Sequence, residues 1–90
     1  MGKLALVPRN DGTDVSFVVD LSTRGLVGEV IPSDVHRGWW RAAVTDPRSG
    51  YSLVCRTERG EVLVDRPQAG TEAYRSPQEA LLAVERNRIR

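Results

Sequence analysis

The side chains on which many active sites and metal sites depend are nearly missing from this sequence. It holds one cysteine, Cys55, and one histidine, His36. A single cysteine cannot close an internal disulfide, and a zinc or iron site needs several thiolate or imidazole ligands. A nucleophilic pair of Cys55 and His36 is a formal alternative, but Cys55 falls within an apolar stretch, where a small buried thiol is the usual finding. We therefore expect no metal, no cofactor and no catalytic residues, and we expect that the protein is not an enzyme.

Long apolar runs and an excess of charge are lacking as well. No stretch approaches the ~18 apolar residues that a membrane span needs, and the short apolar run near the N-terminus, broken by Pro8, does not have the form of a signal peptide. The formal net charge is only +1, and this low charge argues against a strong nucleic-acid binder. The basic residues are 12 arginines and a single lysine. These features predict a cytoplasmic protein that does not enter a membrane.

What the sequence does contain is the composition of one small globular domain. Its 90 residues are 40% hydrophobic and 28% charged, and a second domain would leave neither with an adequate core. We therefore interpret residues 1–90 as a single domain.

Six short apolar stretches separated by turn signals predict six β-strands. The second stretch has the clearest alternation, because Val15, Phe17, Val19 and Leu21 alternate with mostly polar residues. A glycine inside the third stretch, Gly28, predicts a bulge or the close approach of another backbone. The predicted strands are residues 3–7, 15–21, 26–31, 38–44, 51–57 and 61–65. Short connections predict an antiparallel meander in which neighbours pair in order, and a curled, SH3-like arrangement of residues 28–64 is the alternative.

The last part of the chain changes from strand signals to helix signals. Ser76-Pro77-Gln78-Glu79 has the form of a helix start, with a serine cap, proline at the first helical position and a glutamate that completes a capping box. We predict a helix from Pro77 to about Arg88 that packs on the sheet, which makes an α+β fold. Its apolar stripe consists of Pro77, Ala80, Leu81 and Val84. Leu82 and Ile89 lie on the other side of this stripe, and they either cover a loop or are exposed to a partner.

The stretch with both tryptophans is the most informative one for function. Successive side chains of a strand point to opposite faces, so the apolar set of Trp40, Ala42 and Val44 is assigned to the core. Trp39 and Arg41 then share a half-exposed face that suits binding. The alternative is that Trp39 covers a sheet edge and Arg41 stacks on its ring.

Arginines on the neighbouring strand add positive charge to this region. Arg41 and Arg56 lie on adjacent predicted strands with Trp39 between them, an arrangement that suits a phosphate backbone or an acidic protein surface. The alternative is a solvated face on which each arginine pairs with a neighbouring acid. The candidate binding residues are Trp39, Arg41, Arg56, Arg37, Arg59, Leu82 and Ile89.

Three short motifs carry a resemblance to known domains. Val27-Gly28-Glu29-Val30, Gly38-Trp39-Trp40-Arg41-Ala42 and Tyr74-Arg75-Ser76-Pro77-Gln78-Glu79-Ala80 resemble a pattern of strand, hairpin and helix in small actinobacterial and phage or mobile-element domains. The same region, about residues 26–86, is similar to the AP2-like arm-type DNA-binding domain of tyrosine integrases. That resemblance implies a three-stranded sheet on a C-terminal helix, with the sheet face in the DNA major groove and Trp39, Arg41 and Arg56 as its contacts.

Two functions follow from these observations. The near-neutral charge, the missing catalytic set and the exposed candidates favour a non-enzymatic protein-interaction module, of the phage or mobile-element kind, that binds and occludes the surface of a partner protein. The alternative is a DNA-associated accessory domain that uses the sheet face with arginine and tryptophan. A homodimer, formed through a sheet edge or through Leu82 and Ile89, is compatible with either.

Overall fold

The computed structural model describes residues 3–48 and 50–89 and confirms the predicted α+β architecture within them. The elements are β1 (Leu4–Pro8), β2 (Ser16–Asp20), β3 (Gly25–Pro32), β4 (Trp40–Asp46), β5 (Gly50–Thr57), β6 (Gly60–Val64) and α1 (Pro77–Asn87). Each predicted strand and the helix are found with bounds that differ by two residues at most. No helix in these ranges is long and apolar enough to cross a bilayer.

The six strands form one antiparallel sheet in the order of the chain. Each strand pairs with the next along the sequence, from β1–β2 to β5–β6. β1 and β6 therefore lie at opposite edges, and the sheet is open. The predicted meander is confirmed, and the closed, SH3-like alternative is wrong.

The hydrophobic core lies between one face of the sheet and α1. Val44 is directly opposite Gly28 on β3 and Ser52 on β5, and the core contains Ala42 and Val44, with Trp40 packed against it. The predicted inward face of β4 is therefore confirmed. On β2 the strand alternates as expected, but the face beneath α1 is that of Val18 and Asp20, both buried. The buried members of the core are Val18, Val27, Val30, Ala42, Val44, Val54, Tyr74, Ala80, Ala83 and Val84.

At Gly28 the backbone of the sheet and the side chains of α1 are in close contact. Val18 pairs with Gly28 and Val19 with Leu26, so Val27, next to Gly28, is the extra residue of a bulge in β3. A Cβ atom built on Gly28 would lie 2.1 Å from the carbonyl oxygen of Ala43 and 2.9 Å from Cγ1 of Val84. Both predicted explanations of this glycine, a bulge and a close approach, are therefore confirmed.

The helix is fixed at both ends by polar contacts. Ser76 is the N-cap, and its Oγ accepts the N–H of Glu79 at 3.1 Å. The carboxylate of Glu79 accepts the N–H of Arg75 at 2.7 Å. In a capping box it would accept the N–H of the cap residue, Ser76, which is one residue later. Near the C-terminus, Arg86 pairs with Glu61 of β6 and Arg88 pairs with the buried Asp20 of β2. Two carboxylates of the sheet therefore hold the basic end of the helix.

β4 and β5 separate near the start of β4, and another segment enters the gap. The β4–β5 ladder ends at the pair Ala43–Leu53. Beyond it, Trp40 exchanges backbone hydrogen bonds with Tyr74 at 2.7 and 3.3 Å, and the N–H of Arg56 donates to the carbonyl of Gly70 at 2.9 Å. Residues 70–74 therefore form a wedge segment between the two strands, and this wedge positions the candidate site.

Candidate functional site

The loop between β3 and β4 is ordered by its own hydrogen bonds. Oγ of Ser33 accepts the N–H groups of Val35 at 3.2 Å and His36 at 2.9 Å. The N–H of Ser33 donates to the carbonyl of Trp39 at 2.9 Å, and that of Trp39 donates to the carbonyl of His36 at 3.2 Å. The loop is therefore a built structure, and it presents Val35 with 69% of its surface exposed.

Trp39 lies outside the core, with an arginine stacked on its ring. The guanidinium carbon of Arg75 is 4.4 Å from the centroid of the Trp39 ring. The backbone pairing of Trp40 with Tyr74 brings Arg75, the next residue, beside Trp39. The stacked partner is therefore Arg75, so the alternative in which Arg41 stacks on Trp39 is wrong. A cation over a tryptophan face contributes about 0.5–1 kcal/mol at an exposed position.

Arg41 is instead tied into an ion-pair cluster on the wedge segment. Its side chain is only 15% exposed, and its Nη2 contacts Oδ1 of Asp34 at 3.2 Å and Oε1 of Glu72. The hydrogen bond from Arg41 holds the pKa of Glu72 below its ordinary value, and Nε2 of His36 lies 3.6 Å from Oε2 of the same carboxylate. Nε of Arg41 is buried without a partner among the described residues. Two acids therefore neutralise the charge of Arg41, as the solvated-face alternative predicts for each arginine.

Arg41 and Arg56 do not form one surface. Ala43 lies opposite Leu53 across the β4–β5 ladder, so Arg41, two residues before Ala43, takes the face away from α1. Arg56 takes the face of Val54, which belongs to the core beneath α1. Arg56 lines a groove beside the helix, whereas Arg41 lines a groove with residues 67–70. The predicted sheet face that joins Trp39, Arg41 and Arg56 is therefore not assembled.

The other four candidate residues lie in four separate places. Arg37 is exposed in the β3–β4 loop, and Arg59 is exposed in the β5–β6 turn. Leu82, 50% exposed, lines a groove of about 420 Å³ between α1 and β6 that also contains Arg56, Tyr74 and Arg86. Ile89, 38% exposed, lines a different cleft of about 160 Å³. Leu82 and Ile89 are both partly exposed, as one of the two alternatives predicts, but they do not form one continuous stripe.

Arg75 is the functional candidate that the sequence did not reveal. Its role depends on the backbone pairing between Trp40 and Tyr74, two residues that are far apart in the chain. The motif Tyr74-Arg75-Ser76 contained the residue, but only its relation to the helix cap could be inferred from it. We define the Trp39 surface as Trp39 with Arg75 stacked on it, together with Val35 and Arg37, the exposed residues of the adjoining loop.

The groups with nucleophilic or metal-binding chemistry have structural partners. Cys55 is buried, and its thiol donates to the carbonyl of Ala69 at 3.2 Å. His36 faces Glu72. Within residues 3–48 and 50–89 no group of histidine, cysteine and acidic side chains has the arrangement of a metal site. The Trp39 surface combines one aromatic ring, one exposed aliphatic side chain and two cations.

Comparison of the chain with protein-family models, with curated proteins and with solved structures gave no match. The proposals below therefore depend on the geometry and charges of the chain itself.

Proposed function

We propose that this protein is a non-enzymatic protein-interaction module that binds and occludes an acidic surface of a partner protein through the Trp39 surface. The observation that supports the proposal most directly is the different placement of two adjacent tryptophans. Trp40 packs against the core, whereas Trp39 lies on the far side of the strand with Arg75 stacked on it. Trp39 is half-buried but does not belong to the core cluster, so the exposed part of its ring is available for contact.

The charge of the Trp39 surface favours an acidic partner. Arg41 is already neutralised by Asp34 and Glu72. By contrast, the guanidinium groups of Arg37 and Arg75 have no ion pair within the part of the chain that the structure describes. Two cations therefore remain for a partner, although the whole chain has a net charge of only +1. Complementary charges of this kind mainly increase the association rate and the specificity.

The composition of the Trp39 surface is typical of residues that dominate binding energy. Tryptophan and arginine are enriched among interface residues whose truncation costs about 2 kcal/mol or more. Arg75 also limits the motion of the Trp39 ring before binding, which reduces the entropic cost of ordering it. The hydrogen bond from the N–H of Val35 to Oγ of Ser33 likewise orders the backbone of Val35 before binding.

The test is quantitative affinity capture from a cell lysate with immobilised wild-type protein and the variant Trp39→Ala. We expect recovery of the specific partner to fall about 30-fold in Trp39→Ala, which corresponds to the loss of one dominant contact. Arg75→Glu should also reduce recovery, because it removes the stacking and places an acid against an acidic partner.

Leu82→Ala is the control, because it truncates an exposed apolar side chain on α1, away from the β3–β4 loop. It should retain the partner. Recovery of the same proteins in equal amounts by wild type and Trp39→Ala would count against this surface. Capture of nucleic acid at ~50 mM salt, where electrostatic binding is strongest, would support the DNA-associated alternative.

A further inference from the structure

The two edges of the sheet differ in how far they are protected from pairing with another strand. β1 ends at Pro8, which has no backbone N–H to donate. β6 contains neither proline nor lysine, and it exposes Val62 by 47% and Leu63 by 39%. Proline and lysine are common devices that block edge-to-edge association. The β6 edge lacks both.

The hydrogen bond of Arg56 shows which backbone groups of β6 face outward. Its N–H donates to the carbonyl of Gly70, on the side away from β6. Arg56 is directly opposite Glu61, and antiparallel pairs alternate between pairs that exchange backbone bonds and pairs that do not. Glu61, and two residues later Leu63, therefore direct their N–H and C=O groups to the open edge. These groups have no backbone partner on that side within the described ranges.

The charges that flank β6 complement those of a second copy. When β6 is laid antiparallel on itself with Val62 on the two-fold axis, Glu61 faces Leu63 of the second copy, so the outward backbone groups meet. Asp65 follows the end of β6, and in the second copy it comes next to Arg59, the turn residue just before β6 begins. Both side chains are exposed, and within the chain Asp65 makes only a loose contact of 3.7 Å with Arg66. By the two-fold symmetry, the dimer therefore contains two Arg59–Asp65 pairs of opposite charge.

Neighbouring registers do not have this complementarity. A shift of two residues in one direction places Glu61 opposite Asp65 of the second copy, and a shift in the other direction places Arg59 opposite Leu63. A shift of one residue would place the outward N–H and C=O groups of one copy opposite residues of the other copy whose N–H and C=O groups already bond to β5. Only the register centred on Val62 satisfies both the backbone and the charges.

We propose that two copies of this chain associate through antiparallel pairing of their β6 edges about Val62, which joins two six-stranded sheets into one continuous sheet. This surface is separate from the Trp39 surface, so the inference does not depend on the proposed function. The partner is a second copy because the strand complements itself in both hydrogen bonds and charge.

Sedimentation equilibrium of the full chain and a charge-swap pair test this register. Wild type should form a dimer at concentrations up to ~500 µM, and each of Arg59→Glu and Asp65→Arg should weaken it about ten-fold, since each turns two attractive exposed pairs into repulsive ones. An equimolar mixture of the two variants should recover the dimer, because opposite charges then meet again across the interface. Unequal effects on folding cannot produce that recovery.

Leu63→Pro provides a second and independent variant. Its N–H faces the open edge, so proline removes a bond of the dimer without removing a bond to β5. We expect a folded monomer by circular dichroism and sedimentation. A monomeric wild type at all concentrations, equal dimer affinity of the single charge variants and wild type, or a mixture no tighter than the single variants would each overturn the proposal. A dimer retained by folded Leu63→Pro would do so as well.

Discussion

Gly28→Ala is expected to reduce the free energy of unfolding by about 3 kcal/mol, because a methyl group has no space at this position. The new Cβ would lie 2.1 Å from a backbone oxygen of the next strand and 2.9 Å from Val84 of the helix. Backbone cannot move away as a flexible side chain can, so the β3–β4 ladder or the helix must shift. A domain of this size has only about 5–15 kcal/mol of total stability, so the loss is a large fraction of it.

Urea unfolding followed by circular dichroism measures this effect, and Gly25→Ala is its control. Gly25 lies in the same strand, but a Cβ there would meet only Oγ1 of Thr23 at 3.2 Å. We expect the control to cost about 1 kcal/mol or less. Equal urea midpoints for Gly28→Ala and Gly25→Ala would contradict the close contact of α1 with Gly28.

Glu61→Gln is expected to cost about 2 kcal/mol at neutral pH, since the charged carboxylate accepts several hydrogen bonds that a neutral amide cannot match. Glu61 accepts from Nε and Nη2 of Arg86, both at 2.8 Å, from Nδ2 of Asn87 at 3.0 Å, and from the hydroxyl of Tyr74. These contacts join β6, the wedge segment and the C-terminal turn of α1. Loss of the charge therefore weakens three elements together.

The same cluster gives the stability a defined dependence on pH. The bidentate bond from Arg86, assisted by Tyr74 and Asn87, lowers the pKa of Glu61 from 4.5 to about 2, against the opposing effect of partial burial. The carboxylate of Glu61 therefore binds a proton less readily in the folded state than in the unfolded state. The stabilisation is fully present above about pH 4.5 and is lost as the pH falls toward 2.

Unfolding measured in urea at pH 7, 4 and 2.5 should show this window. The difference in free energy between wild type and Glu61→Gln should be largest at pH 7 and should shrink at each step. Glu85→Gln, an exposed position of α1, should track the wild type throughout. A difference between wild type and Glu61→Gln that stays constant with pH would contradict the assigned contacts.

The elements of the fold were predictable because their signals are local. Turn residues and period-two alternation located all six strands, and Ser76 with Pro77 located the helix start. Gly28 could be interpreted from its position alone, because a glycine inside a strand implies an unusual backbone environment.

The candidate site was less predictable because it depends on contacts between distant parts of the chain. Strand alternation separates Trp39 from Trp40, but it cannot show that the wedge segment enters between β4 and β5. This segment supplies Glu72 to neutralise Arg41 and leads to Arg75, which stacks on Trp39. The predicted surface with both Arg41 and Arg56 was also wrong. Two residues on adjacent strands do not necessarily share a face of the sheet, and these two arginines lie on opposite faces.

The most direct test of the central claim compares the unfolding free energies of Trp39→Ala and Trp40→Ala, measured by urea titration with circular dichroism. Truncation of Trp40 should cost about 3 kcal/mol, because it leaves a cavity against the core. Truncation of Trp39 should cost about 1 kcal/mol or less, since it removes mainly the Arg75 stack from a surface. If Trp39→Ala is destabilised as much as Trp40→Ala or more, Trp39 serves the fold, and the proposed contact surface is refuted.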